Sequence, residues 1–109
     1  MAYIKPLKDI HREMLATVFS GVSIPDAPIR LHRSRGYWAA WDTNAQAFYY
    51  HKDALTHPYI RDIVAHEIIH QWQDINNLYC DSDTHGHDRY FWGWSDVFMR
   101  HGLTLSETW

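Results

Sequence analysis

His66-Glu67-Ile68-Ile69-His70-Gln71-Trp72-Gln73 sits inside an apolar run that Pro58 opens and Asn76-Asn77 ends. Proline is tolerated in the first turn of a helix, and Ile60, Ile63, Val64, Ile68, Ile75 and Leu78 form a helical apolar stripe. The spacing therefore predicts one long helix. On it, His66 and His70 stand one turn apart on the same face, and two such imidazoles can reach a single zinc ion at about 2.0–2.1 Å. Glu67 is rotated from them. Its carboxylate suits a general base that takes a proton from the attacking water and hands it to a leaving amine. H-E-x-x-H in this setting predicts a zinc-dependent peptidase, with Zn2+ as cofactor and Glu67 as the catalytic group.

A catalytic zinc of this kind needs a third protein ligand and an open fourth position. The sources are in Thr84-His85-Gly86-His87-Asp88, where the two histidines point in different directions and one ligand is expected. The spacing H-E-x-x-H-x-x-G-x-x-H does not apply, because Gln73 and Asn76 occupy the places of its glycine and third histidine. The only glutamate after the motif is Glu107.

The motif, a loop, and then Gly86-His87-Asp88-Arg89-Tyr90-Phe91 together resemble the SprT-like metallopeptidase family, which includes the Spartan proteases. That family pairs H-E-x-x-H with a later Gly-His-x-x-x-Phe. The resemblance implies His87 as third ligand rather than His85, completing a set of His66, His70 and His87, and Phe91 as the residue packed behind the site. It further implies a zincin-like fold and a protein or peptide substrate. With a single cysteine, no zinc ribbon can be built within these residues. The likeness is to a minimal core of the sort found in phage and bacterial genomes.

Upstream, Pro6–Phe19 reads as an amphipathic helix with Gly21 as its stop, followed by a loop through Pro25 and Pro28. Ile29–Arg33 alternates like a strand. Gly36–Asp42 and Gln46–His51 read as a hairpin turning at Thr43-Asn44. Downstream, Asp88–His101 reads as one final helix, with Phe91, Trp94, Val97 and Phe98 on one side and Gly102 as its stop. This order predicts an α+β fold with a mainly antiparallel three-stranded sheet, in one domain over 1–109. The hairpin is the expected edge for an extended peptide. Tyr49, Tyr50, His51 and Tyr90 are the open choices for an oxyanion donor.

Charge is uneven. Residues 1–36 carry six Lys/Arg against three Asp/Glu, whereas the part with the motif carries four against ten. That acidity disfavours a nucleic-acid backbone as first partner. A weaker reading takes Lys5, Lys8, Arg12, Arg30, Arg33 and Arg35, with Tyr37 and Trp38, as a DNA-associated surface. The other alternative is a zinc-binding module of the same fold that recruits a partner without cleaving it. No stretch approaches the roughly 18 apolar residues of a membrane span, and the charged N-terminal segment lacks a signal-peptide centre. A cytoplasmic location is expected. The lone Cys80, with Asp81 and Asp83 just after it, is expected to be inert.

Overall fold

The computed structural model describes residues 4–32, 36–78 and 86–107. The elements run α1 (Ile4–Ala16), β1 (Ile29–His32), β2 (Ala39–Asp42), β3 (Ala47–His51), a single 3-10 turn at Ala54–Thr56, α2 (Ile60–Ile75), α3 (Arg89–Trp92) and α4 (Ser95–Arg100). This is the α+β architecture expected from the sequence. Arg33, Arg35, Cys80 and His85 lie outside the described residues.

The strand order is β1-β3-β2. The β2–β3 hairpin is antiparallel, pairing Trp41 with Phe48, while β1 runs parallel to β3 with Ile29 opposite Phe48. The sheet is thus mixed, with one pairing of each kind. β3 takes the centre because it is the most buried strand, with Ala47, Phe48 and Tyr50 inside. Asp42 sets the hairpin turn, its Oδ1 accepting from the Asn44 and Ala45 N–H groups at 2.9 and 3.0 Å. Tyr37 and Trp38, read as strand residues, precede β2 and remain exposed. Their rings instead meet His32 and His51, with centroids 4.2 and 5.4 Å apart.

α2 is buried far beyond one stripe. Every residue from Asp62 to Ile69 is inside, whereas Ile75, assigned to the stripe by periodicity, is exposed. The cause is enclosure: α2 packs on β2, α1 and α3. Thr104, from the segment after α4, also donates its backbone N–H to Asp62 Oδ2 in the first turn of α2 at 2.6 Å. The helix ends where the paired asparagines predict. Asn77 takes a φ of +54°, and Leu78 N–H bonds to the Gln73 carbonyl at 2.8 Å, closing a Schellman cap.

The helix expected over Asp88–His101 is broken between α3 and α4 at Gly93-Trp94. Gly93 has low helix propensity, and a Cβ there would come within 3.2 Å of the Arg89 carbonyl. The step lets Trp94 turn onto Phe19 and Trp72, with centroids 4.7 and 5.3 Å away. α4 closes at Gly102, φ +71°, with Leu103 N–H on the Phe98 carbonyl. The core between helices and sheet joins Leu7, Met14 and Phe19 to Phe48, Tyr50, Ile63, Ile68, Phe91 and Phe98. Among the described residues no helix is long and apolar enough to cross a membrane.

Candidate metal centre

His66 and His70 lie one turn apart on α2, and their Nε2 atoms are 3.0 Å apart. His87 comes from the turn before α3 and brings its Nε2 to 3.3 Å from that of His66. The three imidazoles form a group that could hold a metal ion. Nitrogens bound at about 2.0–2.1 Å in a tetrahedral shell lie roughly 3.3 Å from one another; the two separations from His66 Nε2 match this, and all three ligand atoms lie within 4.8 Å of one another. His87 reaches this position through Gly86. At φ +84° the backbone turns in the left-handed region that glycine takes without strain.

The electrostatics favour the same use. Burial pulls the His66 pKa down to about 2, helped by His70 and His87 and opposed by the Ser106 backbone. Burial also lowers His70 to about 4, against a hydrogen bond to Gln73 that pulls the other way. Both rings are neutral at pH 7, as metal ligands must be. Among the described residues, no hydrogen bond of ordinary geometry reaches the buried Nδ1 of His66.

Glu67 is buried, and its Oε2 lies 3.8 Å from His66 Nε2. It is therefore beside the imidazole group rather than within it. Burial raises its pKa to about 8, with a hydrogen bond from the Trp41 backbone pulling it back. That bond ties the carboxyl to β2, the strand packed against α2. Phe91 forms the wall behind the group. Its ring lies 4.9 Å from His66, 5.3 Å from His70 at a 17° interplanar angle, and 4.6 Å from His87.

Asp88 fixes the start of α3. Its Oδ1 accepts from Tyr90 N–H at 2.9 Å and Phe91 N–H at 3.4 Å. The same oxygen accepts from Gln73 Nε2 at 3.1 Å. Gln73 also donates to the Gly86 carbonyl at 2.8 Å, and its Oε1 stands 2.9 Å from His70 Nδ1.

The structure thus brings His66, Glu67, His70, His87 and Phe91 together; His85, the alternative third ligand, lies outside the described residues. All four oxyanion choices have other partners. Tyr50 is fully buried with its hydroxyl 2.6 Å from His11 Nε2, and the Tyr49 hydroxyl accepts from Arg30. The Tyr90 hydroxyl accepts from Arg89 at 3.2 Å, and His51 Nδ1 accepts from the Asp53 N–H at 3.1 Å. Sequence reasoning left Gln73 without a role, although its place three residues after His70 puts both on one helix face. It also missed the Trp41 backbone, which carries no signal in residue identity. No family model, no curated protein and no solved structure matches this chain.

Proposed function

We propose that the chain is a zinc-dependent peptidase of the SprT-like kind. The observation that carries this reading is the placing of the buried Glu67 carboxyl beside three converging imidazoles. Zinc held by His66, His70 and His87 would supply a Lewis acid for the scissile carbonyl and make water acidic enough to lose a proton near pH 7. With His66, His70 and His87 as its protein donors, zinc would keep room for water or substrate.

Glu67 performs the proton work. With a cation held by the imidazoles, its raised pKa would fall, and Glu67 would stand as a carboxylate able to accept a proton from water. Trp41 holds that carboxylate through the backbone, and Phe91 keeps the rear of the group dry. The substrate is an extended stretch of protein or peptide, and β2 is the strand that receives it. β2 forms an edge of the sheet and lies against α2. The His51 N–H bond to the Trp38 carbonyl, with the antiparallel register, turns the main-chain groups of Ala39 and the Trp41 carbonyl away from β3, while the Trp41 N–H is held by Glu67. A peptide added there runs past Glu67.

The test is zinc loading followed by peptide cleavage. The protein should take up one zinc, and Glu67→Gln should keep the zinc and lose cleavage. A chain that stays metal-free after loading ends this reading.

A further inference from the structure

We infer that Gln73 is the positioning residue of the centre: one buried amide fixes the tautomer of His70 and also places the backbone that delivers His87. This rests on the metal-centre reading for its purpose, but not for its geometry.

Gln73 is completely buried in the last turns of α2. An uncharged amide in such a place costs several kcal/mol unless it is hydrogen-bonded, and leucine would fill the same space more cheaply. Each end of the amide is engaged. Oε1 faces His70 Nδ1 at 2.9 Å. Nε2 faces the Gly86 carbonyl at 2.8 Å, Asp88 Oδ1 at 3.1 Å and the Leu78 carbonyl at 3.5 Å.

The orientation of the amide follows from its partners. Three oxygens surround Nε2, and all three only accept, so the NH2 end must lie there. Oε1 is then the end at His70, and an amide oxygen only accepts. His70 Nδ1 must carry the proton, and Nε2 is left with its lone pair. Nε2 is the atom that faces His66 across 3.0 Å.

The other end of the amide reaches across the chain. Leu78 and Gly86 flank the segment 79–85, and Asp88 follows His87 directly. One side chain therefore grips the chain on both sides of that segment and on both sides of His87. Through Asp88 the grip continues into the first turn of α3 and the Phe91 wall. Loss of Gln73 should loosen two of the three imidazoles together, although it touches only one.

The experiment compares wild type with Gln73→Met and Gln73→Glu. Imidazole nitrogen shifts are read in the metal-free proteins, zinc affinity is read by competition with a chelator, and thermal unfolding checks the fold. Wild-type His70 should be a single Nδ1–H tautomer. Q73M should mix tautomers and bind zinc roughly 10- to 100-fold more weakly, the usual cost of losing a group that orients a ligand. Q73E should keep the Nδ1–H tautomer, because a carboxylate also accepts from it. Its zinc affinity should still fall, because it cannot donate to Gly86 and faces the Asp88 carboxylate. A folded Q73M that binds zinc as tightly as wild type overturns the proposal. So does an Nε2–H tautomer at wild-type His70, a measurement that stands even if Q73M does not fold. Failure of the wild type to bind zinc would remove the metal reading alone, since the tautomer is measured without metal.

Discussion

His11 of α1 and Tyr50 of β3 meet across the core, with Nε2 and the hydroxyl 2.6 Å apart. Both side chains are buried, and burial lowers the His11 pKa from 6.5 to about 4. Between those values the unfolded chain binds a proton that the folded chain refuses. His11 therefore costs no stability above pH 6.5, and its penalty grows as pH falls toward 4, reaching about 3 kcal/mol. Urea unfolding of the metal-free protein at pH 7 and pH 4.5 should register this loss. His11→Gln should reduce the difference, and an unchanged difference would mean His11 is not held neutral.

Zinc binding should release protons from Glu67 but none from His66 or His70. At pH 7 the two imidazoles are already neutral, whereas the Glu67 carboxyl, raised to about 8, still holds most of a proton. Calorimetric titration of zinc in buffers of different ionisation enthalpy counts the protons released. Glu67→Gln should lower that count by nearly one at pH 7. The difference between the two proteins should shrink above pH 8, where the carboxyl is ionised before metal arrives.

Truncating the third imidazole should separate binding from folding. His87→Ala should weaken zinc binding by more than 100-fold, beyond the usual cost of losing an orienting group, while the circular dichroism of the metal-free protein stays close to wild type. His85→Ala should leave zinc affinity within about threefold, well inside the 10-fold minimum for an orienting group. A reversed pattern would make His85 the ligand.

Asp74 ties the hairpin to α2. Its Oδ2 accepts from the Trp41 indole at 3.0 Å and from Gln46 Nε2 at 2.9 Å. Asp74→Ala should destabilise the fold by about 1.5–3 kcal/mol, the range for hydrogen bonds to a charged acceptor. Because the tie holds β2 beside Glu67, KM for a peptide should rise more than kcat falls.

The helix carrying the motif was legible because its signals are local: Pro58 before it, asparagines after it, histidines four apart. Gly102 likewise marked its own stop. What escaped was whatever depends on neighbours. Periodicity placed Ile75 inside, but enclosure of α2 is decided by the other elements, which cover Glu67 and Gln73 and leave Ile75 out. The parallel run of β1 beside β3 is a matter of which strand is most buried, and the alternating pattern of Ile29–His32 suits either direction. Gly93 could have announced the break before α4, but the apolar spacing across it spoke for continuity. Within the site, His66, His70 and Glu67 were readable from spacing, whereas His87 came from the resemblance and not from spacing. Gln73 was not readable, because a glutamine on a helix is ordinarily a solvent-facing residue and only tertiary structure turns it inward.

The Leu78 and Gly86 carbonyls both face the Gln73 amide nitrogen, so the chain leaves and returns at nearly one point. One amide thus joins the foot of α2 to the start of α3, which Asp88 caps. The two ends should open together or not at all, so the backbone amides of Leu78 and Phe91 should exchange their hydrogens with solvent as one cooperative unit.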